Sequence, residues 1–143
     1  MAIHQLSIFL ENRAGQLAEI TELLSSHGID LRAIHIAETA DYGLLRIIVS
    51  DARAAADILS RNDYVLNVTP VVAVAVPDRP GGLSDLLKTL SEAQIDISYM
   101  YSVFGQHNGM AYMIFRVDDP DRLQAVLEAQ GNPAAAAEDL GLR

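Results

Sequence analysis

The chain has 143 residues, enough for one ordinary domain or two small ones, and half of them are apolar, so a packed core is expected and wholesale disorder is not. Ten Lys and Arg stand against nineteen Asp and Glu, and the net charge of −9 repels phosphate backbones and anionic lipid, which argues against nucleic acid and membrane surfaces as partners. There is no cysteine, so disulfides, thiolate metal sites and cysteine nucleophiles are excluded.

The first five residues, Met1-Ala2-Ile3-His4-Gln5, lack the charged start and long apolar core of a secretion signal. The longest apolar run, residues 71–76, is far short of the ~20 residues of a membrane helix. The expected location is the cytoplasm.

In chain order, residues 3–10 alternate Leu6, Ile8 and Leu10 with Gln5, Ser7 and Phe9, the period of a strand. Gly15 then leads into a helical run with Leu17, Ile20, Leu23 and Leu24 on one face, ended by His27-Gly28. Residues 29–37 and 44–50 read as two strands joined by Thr39-Ala40-Asp41-Tyr42-Gly43. Asp51 is an N-cap residue type ahead of a helix at 52–60, and residues 64–69 form the closing strand. The order is then repeated. Residues 71–76 are a strand, and Leu83, Leu86, Leu87 and Leu90 mark a helical stripe. Residues 95–104 and 110–117 are strands flanking Gly105-Gln106-His107-Asn108-Gly109. Pro120 opens a helix that runs to Ala129. The tail, with its Ala134-Ala135-Ala136-Ala137 run, makes a poor strand, so a short or frayed final strand and a helical turn near residues 138–142 are expected.

The repetition is literal. Asn12-Arg13-Ala14-Gly15-Gln16-Leu17 recurs 66 residues later as Asp78-Arg79-Pro80-Gly81-Gly82-Leu83. Ile29-Asp30-Leu31 recurs at the same offset as Ile95-Asp96-Ile97, and Tyr42-Gly43-Leu44 as Asn108-Gly109-Met110. Past that block the register slips by two residues, which is expected to be a loop insertion. Two βαββαβ copies predict an α+β protein of two tandem ferredoxin-like domains, residues 1–69 and 70–143, each an antiparallel sheet with its helices on one face.

The strand, the Asn12-Arg13-Ala14-Gly15 or Asp78-Arg79-Pro80-Gly81 turn, the leucine-striped helix and the Gly28-Ile29-Asp30-Leu31 segment together resemble the ACT domain. The resemblance covers nearly the whole chain and weakens after about Gln130. It implies a regulatory protein, not an enzyme, that binds a free amino acid at the interface between ACT domains and controls an enzyme of amino-acid metabolism. It implies no cofactor. It also implies that the turn of one domain meets residues near the second strand of its neighbour.

Helix N-termini suit the ligand's carboxylate, because their N–H groups and dipole end are positive. The groups concerned are those of Gly15, Gln16 and Leu17 in the first copy and of Gly81, Gly82 and Leu83 in the second. Ala14 and Pro80 complete the two turns. Asn12 stands where serine-sensing members carry a ligand-contacting asparagine, with Asp78 at the matching place. Asp30 and Asp96 stand where such members place the partner domain's polar contact, and as carboxylates they favour the ammonium end. Leu10 and Val76 replace a histidine often found before that asparagine, and Ala14 replaces the turn's proline in the first copy; the apolar lining suits an aliphatic amino acid.

No nucleophile–base pair, phosphate loop or dinucleotide fingerprint is present, and His4, His27, His35 and His107 have no metal-ligand spacing. A homodimer is the expected assembly. The alternative function is a ligand-free ACT assembly module whose edge strands, the second of each copy, pair with a partner protein.

Overall fold

The structure is a computed structural model that describes residues 3–11, 13–38, 42–107 and 109–142. The chain divides into two compact units: His4–Thr69 with residues 141 and 142, and Pro70–Leu140 with residue 3. Among the described residues the elements mix α and β, with four α-helices and six strands in antiparallel ladders.

The N-terminal unit holds β1 (Ile3–Leu10), α1 (Gln16–Ser26), β2 (Leu31–Glu38), β3 (Gly43–Val49), α2 (Ala52–Arg61) and the start of β4 (Leu66–Pro77). β3 lies between β1 and β2, and Ile47 faces Leu6 on one side and Ile34 on the other. The Phe9 N–H donates to the Val65 carbonyl at 3.0 Å, which lays the chain entering β4 beside β1. The period-two pattern of β1 puts Leu6, Ile8 and Leu10 in one core with Ile20 and Leu24 of α1 and Ala55 and Leu59 of α2. Its other face is not wholly exposed, because Gln5 and Ser7 are also buried. Burial is tolerated there because the polar atoms find mates: Gln5 Nε2 donates to Ser7 Oγ at 3.0 Å, and Ser7 Oγ lies 3.1 Å from Thr69 Oγ1. Asp51 caps α2 as its residue type suggests, accepting the Ala54 N–H at 3.1 Å.

The C-terminal unit holds the rest of β4, then α3 (Gly82–Glu92), β5 (Ile97–His107), β6 (Met110–Val117) and α4 (Pro120–Ala129), and ends in a 3₁₀ turn at Ala137–Leu140. β6 lies between β4 and β5. Asp119 caps α4 through the Arg122 N–H at 3.1 Å, and Pro120 occupies the first turn.

Six strands form among the described residues where two complete βαββαβ copies predict eight, for two physical reasons. The expected strands at 64–69 and 71–76 are one, because β4 runs unbroken through Pro70; proline's fixed φ suits extended backbone and removes only one ladder donor. The expected last strand is replaced by an irregular tail. A backbone bond from Ala135 N to the Ala73 carbonyl, 2.8 Å, and one from Asn132 Nδ2 to the Ala75 carbonyl, 3.3 Å, tie it along β4. Alanines give a strand no side chains to pack, so the ladder does not extend.

The two-residue slip is also not a simple loop insertion. Both copies share one irregularity, between Leu31 and Ala33 in β2 and between Ile97 and Tyr99 in β5. β5 carries a second, between Ser102 and Gln106, where four steps along β5 match two along β6. The extra residues are taken up there as a bulge, with Gly105 at φ 82°. Gly43 and Gly109, aligned at the common offset, are therefore not equivalent: Gly43 opens β3 and Gly109 sits in a turn. The expected connections at 39–41 and at Asn108 lie outside the described residues.

On either side of the bulge the cores match. Leu6 and Ile8 become Val72 and Val74, while Ile47 becomes Phe115 and Ala55 becomes Leu123. Volume lost from one strand returns from the facing strand and helix, the kind of exchange a packed core accepts.

Three substitutions follow from this packing. Leu123→Ala, at a fully buried site in α4, is expected to cost about 2–5 kcal/mol, read as a lower urea midpoint at unchanged slope. Gly82→Ala puts a methyl 2.1 Å from the Pro77 carbonyl oxygen and is expected to cost about 1–3 kcal/mol in the same assay. Gly15→Ala meets no atom within 4 Å, so its loss of about 1–2 kcal/mol comes from the left-handed backbone alone.

Candidate functional site

Each first strand ends in a turn that must reverse into a helix. The turn closes on a residue in the left-handed region: Gly15 at φ 88°, ψ −11°, and Gly81 at φ 88°, ψ −13°. Glycine reaches this region without the Cβ penalty, and the next residue begins the helix. The Glu19 N–H then bonds to the Gly15 carbonyl at 3.0 Å, and the Asp85 N–H to that of Gly81 at 2.9 Å.

Both turns are tied down by the same ion pair. Arg13 NH2 stands 2.8 Å from Glu19 Oε2, and Arg79 NH2 stands 3.8 Å from Asp85 Oδ2. The acids lie in the first helical turn, where the dipole favours negative charge. These groups are about half exposed or more, so each pair orients the turn more than it stabilises the fold. The pair repeats at the common offset, which is the signal by which sequence reading could have singled it out.

A cleft opens beside each turn, bounded by the end of the first strand, the first turn of the helix and the chain leaving the second helix. In the N-terminal unit it measures about 570 Å³, with Leu10, Gln16 and Tyr64 in its walls and Arg13, Glu19 and Asp63 also lining it. Phe9 and Tyr42 stand at the same cleft, their rings 5.6 Å apart and tilted by 53°. Burial first, and the Glu19 carboxylate second, push the Tyr64 phenol above its ordinary 10.0 against the opposing pull of Arg13, so it stays neutral near pH 7. The matching cleft of the C-terminal unit measures about 230 Å³ and is lined by Pro77, Arg79, Gly82, Asp85 and Asn132.

The residues expected at the ligand fall into separate groups. Ala14 and Gly15 are exposed in the first turn, and Asp78, Pro80 and Gly81 in the second. Asn12 lies outside the described residues. Gln16 is buried at the start of α1, while Leu17 packs against the core. Leu83 is 36% exposed. Of the expected backbone donors, Gly82 N–H is engaged inside the turn with the Arg79 carbonyl at 3.1 Å.

Asp30 and Asp96 stand apart from the turn of their own unit, beyond the far end of an 11-residue helix about 16 Å long. Asp30 accepts from Arg32 at 3.1 Å, and its N–H donates to Ser50 Oγ. The walls contributed by residues 62–65 and 130–132 were not singled out from sequence, because nothing local marks a loop as facing a distant turn.

Among the described residues, no group of three His, Cys, Asp or Glu side chains is placed to hold a metal, and no helix is long and apolar enough to cross a membrane. His27 Nδ1 lies 2.9 Å from the Leu23 carbonyl, a helix-end contact.

Comparison with known proteins identifies the family. A family model described as an ACT domain pair matches residues 1–140. Protein BT0572 from Bacteroides thetaiotaomicron is 42% identical, with a TM-score of 0.91 over 99% of this chain and 96% of that one. The ligand-free regulatory subunit of aspartate kinase from Thermus thermophilus shares the fold at 11% identity, TM-score 0.62, covering 88% of this chain and 90% of its own. The corresponding subunit from Thermus flavus does so at 15% identity, TM-score 0.57, covering 91% and 94%. No curated protein matches the sequence. With the repeated turn, helix and cleft in both units, the family model over nearly its full length and a close structural relative, this chain belongs to the ACT domain pair family.

Proposed function

We propose that the protein is an amino-acid-binding regulator made of two ferredoxin-like ACT domains, residues 1–69 and 70–143, that works in the cytoplasm as a homodimer. The observation that carries this reading is the duplicated construction of the turn: the same left-handed glycine, the same arginine–acid pair and a cleft beside each. The ligand's carboxylate meets the start of α1 or α3, where the N–H groups and the dipole end attract an anion. A carboxylate from an ACT domain of a second copy, Asp30 or Asp96, takes the ammonium.

Such a ligand acts by linkage. It binds one arrangement of the domains more tightly than another and raises that arrangement's population. The regulated target is a protein partner, an enzyme of amino-acid metabolism. The likeness to proteins described as regulatory subunits of aspartate kinase supports a regulator that acts on a separate catalytic chain.

Thermal melting with each of the twenty amino acids tests the reading. At about 100 times its dissociation constant, a ligand adds about 2.7 kcal/mol and raises the melting temperature. One or a few amino acids are expected to do so. No shift with any of them at millimolar concentration would overturn it.

A further inference from the structure

α1 presents a buried stripe of Gln16, Ile20 and Leu24, spaced four apart, which is the face that packs on the sheet. An amide has no structural reason to begin an apolar stripe. Gln16 is only 7% exposed, and its Oε1, shielded from water, has no hydrogen-bond partner among the described residues. A buried acceptor left in that state costs stability. Gln16 lines the N-terminal cleft, so a rotation of its side chain would present this acceptor to an N–H donor bound there.

The rest of the cleft says what kind of donor. Glu11, Glu19 and Asp63 line it against one cation, Arg13, whose charge is already met by Glu19 at 2.8 Å and Glu11 at 3.6 Å. Phe9, Tyr42 and Tyr64 give the cleft aromatic walls, the side-chain type that attracts a cation and packs on its apolar stem.

The C-terminal cleft has the arginine and the acid but not this equipment. Gly82 stands in place of Gln16, and a side chain cannot be added there because Pro77 O lies 2.1 Å from the Cβ position. Asn132 stands in place of Tyr64 and donates its Nδ2 to the Ala75 carbonyl. The volume is less than half as large, about 230 against 570 Å³.

We propose that the N-terminal cleft is a site for an organic cation, a primary ammonium or a guanidinium on a short apolar stem, with Gln16 Oε1 as acceptor, and that the C-terminal cleft is not one. It rests on the amino-acid reading only in making that cation part of an amino acid, and it then sets one ligand per chain with a basic side chain.

Calorimetric titration of the full chain tests it, using n-butylammonium and agmatine as cations without a carboxylate, and L-lysine and L-arginine beside L-alanine. The expected result is one equivalent of cation per chain and no heat from L-alanine in this cleft. Gln16→Met keeps the length and removes the acceptor; it is expected to weaken binding about tenfold while leaving the urea midpoint equal or higher, since an apolar side chain suits the stripe. Gln16→Glu is expected to tighten binding. Thr89→Ala and Asn132→Ala, in the other cleft, are expected to leave it unchanged.

Wild-type affinity in Gln16→Met, or loss of binding in the C-terminal variants, overturns the proposal even if amino acids bind. Binding of the two amines with no response to any of the twenty amino acids, by titration or by thermal melting, supports the cleft and overturns the amino-acid reading. No binding of any of these probes at about 10 mM, some 2.7 kcal/mol weaker than a ligand held at 0.1 mM, overturns the cleft proposal, whereas the amino-acid reading falls only if none of the twenty amino acids shifts the melting temperature.

Discussion

The reversal from first strand to first helix constrains everything else in each unit. The strand must end facing the core with Leu10 or Val76, and a few residues later the helix must start on the same side of the sheet. A left-handed residue at φ 88° makes that reversal in both copies. It aims the helix so that its stripe falls on the strands, and it leaves the helix N-terminus and the cleft at one end of the sheet. The arginine–acid pair across each turn keeps the loop against the helix it introduces.

The two units reach similar cores by different means. The N-terminal one relies on large residues in β1, Leu6 and Ile8, with a small Ala55 on the helix above. The C-terminal one has valines at the strand positions, and Phe115 and Leu123 refill the space. Helix and strand therefore keep their spacing although few core residues are shared, and the turns and clefts built on them stay in corresponding places.

Equivalent placement does not bring equivalent chemistry. At the first residue of the helix the N-terminal unit has room for a side chain and carries a buried amide, whereas the C-terminal unit has a glycine pressed against the Pro77 carbonyl. The tail bears on the second cleft as well, since Asn132 stands in its wall with its side-chain amide engaged on β4. A duplicated scaffold thus holds one larger, aromatic and acidic cleft and one smaller cleft.

Much of the fold is legible in the sequence because it depends on local rules. Period two, period 3.6, Pro120 at a helix start and the repeated turn place β1, β6 and α4 at their observed limits, and residue type identifies Asp51 as a cap. They also predict a weak C-terminal strand from its alanines. The repeat offset by itself misleads at Gly43 and Gly109, because the inserted residues enter a ladder and not the loop, and only the pairing of β5 with β6 shows where. The continuity of β4 through Pro70 and the burial of Gln5, Ser7 and Gln16 are likewise tertiary facts. Periodicity assigns a residue to a face, but whether that face is covered, and whether a buried polar atom finds a partner, depends on chain that arrives from far away in sequence. The sequence by itself determined the family, the duplicated turn and the order of elements, since these are set by neighbours within a few residues. The clefts, their unequal sizes and the unpartnered amide of Gln16 were decided by tertiary structure, because their walls are assembled from segments about fifty residues apart that meet only when each core has formed.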